Sequence, residues 1–113
     1  MKYPAFYLLL CCVLTACNPP LLEKESPTVN SVEKGRDFRI RLPEDHSTGY
    51  TWQLSEGYDK NLISLNNIVW HGNEKGVDFH LSSLASGQTT LGFVCRKYTD
   101  TLGMKTYIVK IGN

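Results

Sequence analysis

In Asp37-Phe38-Arg39-Ile40-Arg41-Leu42 every second side chain is apolar, and the places between carry charge. Successive side chains of a strand point to opposite faces, so this pattern buries one face and wets the other. Pro43 ends the run, because proline has no N–H to give to a ladder. The same rhythm returns in residues 77–81, in 89–95 with Leu91, Phe93 and Cys95 on one face, and in 107–111 with Tyr107, Val109 and Ile111 on one side. Residues 51–54 and the apolar run 62–70 read as further strands, and 28–32 as a weak first one. From Thr28 onward no 3.6-residue apolar stripe lasts three turns. Turn residues punctuate the runs at Gly35, Gly49, Gly57, Gly72, Gly76, Gly87 and Gly103. About seven short strands in under 100 residues predict an all-β, two-sheet sandwich, with a small closed barrel as the competing architecture.

The whole chain has 113 residues, room for one domain. Its first part stands outside that domain. Lys2 provides a positive start, an apolar stretch follows over residues 5–13, and Leu14-Thr15-Ala16-Cys17 closes it. This arrangement describes an export signal, too short to span a bilayer, which takes about 20 apolar residues. Leu14-Thr15-Ala16-Cys17 resembles a bacterial lipoprotein cleavage box. The resemblance implies a signal peptide over 1–16, Cys17 as the first mature residue carrying lipid, and a place in the bacterial cell envelope. Residues 17–27 then read as the lipidated Cys and a flexible tether, since NPPLLEKESP combines three prolines with three charges. Ten such residues reach at most ~35 Å. The domain proper is expected over 28–113. Of four cysteines only Cys17 and Cys95 outlast the signal, and with Cys17 lipidated no internal disulfide is available. A formal net charge of +1 argues against a nucleic-acid binder, which needs a clustered basic face.

The most informative segment is Asp45-His46-Ser47-Thr48-Gly49-Tyr50-Thr51-Trp52, polar residues and a glycine between two strands. Taken on composition, it is a turn at one end of the sandwich, with Gly49 at φ > 0 and Tyr50 and Trp52 opening the next strand. The stretch DFRIRLPEDHSTGYTW resembles the chagasin family, exported inhibitors of papain-like cysteine peptidases. Ser47-Thr48-Gly49-Tyr50 match the Thr-Thr-Gly-Tyr part of the family's first loop, and Trp52 matches the Trp that follows. Asp45 and His46 stand where Asn-Pro would be. The family's second, glycine-rich loop corresponds to His71-Gly72-Asn73-Glu74-Lys75-Gly76. Its third corresponds to Arg96-Lys97-Tyr98-Thr99-Asp100, with Tyr98 and Thr99 replacing proline and tryptophan. The resemblance implies an immunoglobulin-like sandwich, no catalytic residue and no cofactor. It implies a monomer whose loops at one end block a papain-like peptidase. The first loop (Ser47, Thr48, Gly49, Tyr50, with Trp52) would enter the cleft. The second (Gly72, Asn73, Gly76) and third (Arg96, Lys97, Tyr98, Asp100) would grip its walls.

Other functions leave weaker traces. His46, His71 and His80 lack the close spacing of paired zinc ligands and read as solvated loop histidines. Cys95 shares a face with Leu91 and Phe93, which predicts a buried thiol rather than a nucleophile. Ser47 lacks the Gly-x-Ser-x-Gly setting of a hydrolase nucleophile. Glu74 and Asp78 read as solvated carboxylates at a loop edge, and the His46-Ser47 adjacency as incidental. The alternative to peptidase inhibition is a surface-anchored binding or assembly module of the same fold with a non-peptidase ligand.

Overall fold

The apolar faces read from the sequence close on one another as two sheets. The computed structural model describes residues 19–112. Within them lie seven strands: β1 (Val29–Glu33), β2 (Asp37–Leu42), β3 (Thr51–Leu54), β4 (Ile63–Trp70), β5 (Val77–Ser83), β6 (Gly87–Lys97) and β7 (Asp100–Gly112). One sheet has the order β1-β7-β6-β3 and the other β2-β5-β4. The fold is therefore an immunoglobulin-like β-sandwich and not the closed barrel. All pairings are antiparallel except that of β1 with β7.

Phe38, Ile40 and Leu42 of β2 go inward, as their alternation dictates, and meet Val77, Phe79 and Leu81 of β5 in the same sheet. From the other sheet come Leu91 and Phe93 of β6 with Tyr107, Val109 and Ile111 of β7. Phe93 joins the layers: its ring lies 4.8 Å from that of Phe79 across the core and 5.7 Å from that of Tyr107, both edge-on. Each such side chain contributes roughly 1.5–3 kcal/mol by leaving water. Cys95 is buried, and desolvation pushes its thiol pKa upward, which makes the nucleophilic thiolate scarcer.

Three expectations are corrected. Gly103, read as a turn, lies inside β7, which begins at Asp100. A register shift between Cys95 and Arg96 absorbs an extra residue there, so the alternation is broken without a turn. Residues 19–27, read as a free tether, are held on the domain over their described length. The Arg39 N–H donates to the Pro20 carbonyl at 2.8 Å and the Leu22 N–H to the Arg39 carbonyl at 2.8 Å, which satisfies the outer edge of β2. Leu22 packs against the core, and the Ser26 N–H donates to the Thr106 carbonyl at 2.9 Å on β7. The expected signal peptide over 1–16 and the expected lipidation at Cys17 fall outside the described residues.

The third correction is Asp78. Instead of being solvated, it is fully buried on the outer face of the three-stranded sheet. Arg41, opposite it in register on β2, donates from Nε to Oδ1 at 2.6 Å and from a terminal nitrogen to Oδ2 at 2.9 Å. Arg39 adds a contact at 3.2 Å and the His71 ring another at 3.1 Å. The same alternation that sends Ile40 inward puts both arginines over this carboxylate. The Arg41 hydrogen bonds hold the Asp78 carboxyl below its ordinary range against the opposing effect of burial. A lowered folded-state pKa stabilises the fold above the unfolded value near ~3.9, and that stabilisation is lost as pH falls through the folded value. Asp78→Asn is expected to cost roughly 2–4 kcal/mol at neutral pH, somewhat less than a fully buried pair because Arg41 is half-exposed. Chemical denaturation from pH 7 to pH 2 should show a shallower loss of stability on acidification in the variant than in the parent.

Candidate functional site

Three connections meet at one end of the sandwich. β2 ends at Leu42 and β3 begins at Thr51, which pairs with Arg96 near the end of β6. Trp70, the last residue of β4, pairs with Val77, the first of β5, and Val77 also faces Leu42. The first loop (residues 43–50), the second (71–76) and the third, the β6–β7 turn at Tyr98 and Thr99, thus share a pole. The sequence-predicted residues are brought together there.

The first loop is short and internally bonded. Asp45 caps a 3-10 turn over His46–Thr48, its Oδ1 accepting from the Ser47 N–H at 2.9 Å and the Ser47 hydroxyl at 2.6 Å. These bonds hold the Asp45 carboxyl below its ordinary pKa, so the cap persists into mild acid. The Thr48 hydroxyl donates to the Asp45 carbonyl at 2.7 Å and accepts from the Tyr50 N–H at 3.3 Å. Gly49 closes the turn at φ 82, a left-handed conformation that costs a side-chain-bearing residue about 1–2 kcal/mol. Asp45 therefore supplies, by hydrogen bonding, the restraint that a proline at the loop's start would supply through fixed φ.

Beneath the loop sits Glu44, a residue sequence reasoning passed over. It is buried, and one carboxylate oxygen accepts from the Trp52 backbone N–H at 2.7 Å while the other lies 2.8 Å from His46 Nε2. Its backbone carbonyl accepts from the Trp70 indole N–H at 3.1 Å. The Trp52 indole N–H donates to the Pro43 carbonyl at 2.7 Å, and its partly buried ring packs against the core, which supports the loop from below. The His46 ring stacks on Trp70 with centroids 3.8 Å apart and planes 9° from parallel. His46 and His71 are thus bound to carboxylates rather than merely solvated, and His80 lies inside β5, not in a loop. The available signal for Glu44 was a lone acid directly between the strand-ending Pro43 and the polar loop.

The other loops brace the first. Asn73 Oδ1 accepts from the His46 N–H at 3.0 Å, which puts the second loop against the first. That loop is closed by bonds of 2.8 Å from the His71 N–H to the Gly76 carbonyl and from the Gly76 N–H to the Gly72 carbonyl. Gly76 is buried at φ 84, and a β-carbon there would stand 2.1 Å from the Leu42 carbonyl oxygen, so only glycine lets this loop approach β2. From the third loop, the Lys97 stem lies where a β-carbon on Gly49 would come within 3.1 Å of it, and its ammonium sits 6.0 Å from the Tyr50 ring centroid. Tyr98 has φ 55 and is 93% exposed, an aromatic ring held outward at the tip of a tight turn. Arg96, Lys97 and Asp100 are all exposed beside it. Among the described residues no group of three or more His, Cys, Asp or Glu is placed to hold a metal ion.

The arrangement is a braced convex edge: a narrow polar tip of small side chains, flanked by an exposed aromatic and two cations. No family model and no curated protein matches this sequence. Among solved structures, the fold is similar to the crystal structure of the cysteine protease inhibitor EhICP2 from Entamoeba histolytica. The TM-score is 0.67 and the sequence identity 25%, over 83% of this chain and 94% of that one. The sandwich is thus shared with a cysteine protease inhibitor across almost the whole of that protein, and it is the fold that the chagasin resemblance implies.

Proposed function

We propose that this protein is a reversible, tight-binding inhibitor of papain-like cysteine peptidases, acting as a plug rather than as a catalyst. Residues 47–50 enter the active-site cleft, and the second loop with Arg96, Lys97, Tyr98 and Asp100 contacts its walls. The observation that carries the reading is the bracing of the first loop by the other two around buried Glu44. A loop that ends near a nucleophile survives only if none of its carbonyls can reach attack geometry, about 3–3.5 Å with orbitals aligned. The Asp45 cap and the Gly49 turn fix those carbonyls, and the likeness to a cysteine protease inhibitor supports the assignment of target class. Pre-organisation also spares the ordering entropy that a free loop would lose on binding. Exposed Tyr98 and Arg96 are of the residue types that anchor interfaces.

The proposal extends to the anchor: Cys17 is the first mature residue, lipidated, and holds the inhibitor at a bacterial envelope membrane. Mass spectrometry of the mature N-terminal peptide should find Cys17 acylated; an unmodified Cys17, or a mature chain starting elsewhere, removes the anchor.

Titration of residues 18–113 against papain with a small fluorogenic substrate should give reversible inhibition that competes with substrate. Full turnover at micromolar protein across several papain-like enzymes would favour the non-peptidase module instead. Thr48→Asp should weaken inhibition about tenfold or more, ~1.4 kcal/mol or above, while Tm moves by less than about 4 °C because the site is exposed. Glu44→Ala leaves the Trp52 N–H without its acceptor and should cost about 1–3 kcal/mol of stability. It should also speed amide hydrogen exchange at Trp52 and weaken inhibition. Retained inhibition in Glu44→Ala would show that the bracing does not matter to binding.

A further inference from the structure

We infer that the chain leaves this domain at the pole opposite its three loops, and that residues 19–22 strap it there. A membrane-held residue 17 therefore leaves the inhibitory edge pointing away from the bilayer. Leu21 pairs with Arg39 in parallel, so residues 19–22 run in the same direction as β2. β2 runs toward the first loop, so whatever precedes Pro19 leaves from the end where β2 begins. The strap is fastened by the two 2.8 Å backbone bonds to Arg39 and by Arg39 Nε, which donates to the Pro19 carbonyl at 3.0 Å. Arg39 also contacts buried Asp78, which ties the strap to the ion network of the sheet face. Pro19, Pro20 and Leu22 line a cleft of about 520 Å³ with Gly35, Arg36 and Phe38, beside the β1–β2 turn at that far pole.

The consequence is geometric. A free segment from 18 to 27 would allow ~35 Å of play, whereas only ~7 Å of chain separates residue 17 from Pro19. β6 spans eleven residues from the far pole to the third loop, roughly 36 Å at about 3.3 Å per residue. The loops accordingly stand a domain's length above the attachment point, facing soluble targets. The pole of exit follows from the described strap alone, and its membrane consequence rests on the anchor proposed above.

The test reads height above a bilayer. Fluorophores are placed at Lys34→Cys, in the β1–β2 turn, and at Thr99→Cys, at the third loop, with an acceptor dye in the headgroups of phosphatidylcholine vesicles. The full chain is used as matured in membranes. In parallel, residues 18–113, which contain both sheets and the whole core, are attached to nickel-chelating vesicles through a histidine tag placed directly before residue 18. In both preparations the Lys34 label should transfer energy several-fold more efficiently than the Thr99 label. Equal transfer, or the reverse order, on the nickel vesicles overturns the exit pole. The expected order there, with a full chain that fails to associate with membranes, keeps the exit pole and removes the lipid anchor. Replacing residues 19–22 with a Gly/Ser run, which removes the packing of Leu22 and frees the chain back to the ~35 Å reach of a loose segment, should abolish the difference, and its persistence would overturn the role of the strap.

Discussion

Glu44 is where the two sheets and the loop end become one object. It follows β2 of the three-stranded sheet, accepts from the backbone of β3 in the four-stranded sheet, and receives the indole N–H of Trp70 from β4. A buried carboxylate is costly unless hydrogen-bonded, and here both oxygens have partners. Satisfying it requires β3 and the first loop to hold one relative position, and the bond from Trp70 to the Glu44 backbone carbonyl adds β4. The stiffness of the loop tip is thus a by-product of solvating a buried acid from within the protein.

The Asp78 site follows the same physical logic on the outer sheet face, but with guanidinium groups as donors. The charge-assisted bonds from Arg41 outweigh the burial of the carboxyl, which is why its pKa falls instead of rising. Arg39 extends this network to the strap, so a sheet-surface ion cluster also fastens the N-terminal segment. The molecule in this way acquires two poles with different duties. One presents braced loops, and at the other residues 19–22 begin their run along β2.

Between the poles the core does conventional work. Phe79, Phe93 and Tyr107 interlock edge-on across the layers, and the β-branched and leucine side chains around them fill the space between sheets. Because the core holds the strands in register, the loops need only short spans, and short spans bonded to themselves lose little entropy on binding.

Much of this was written locally in the chain. Alternation in residues 37–42, 77–81 and 107–111 specifies strands with one buried face, because side-chain direction has period two and water enforces the choice of face. The tip residues Ser47, Thr48 and Gly49 were legible for a similar reason: capping and left-handed turns depend on neighbours within three or four positions. Long-range pairing was not legible. That Glu44 meets Trp52 and Trp70, that Asp78 meets Arg39 and Arg41, and that a proline-rich run lies along β2 instead of hanging free all depend on which strands become neighbours. Strand order is set by the summed burial of the whole core, and no local pattern in a single chain encodes it.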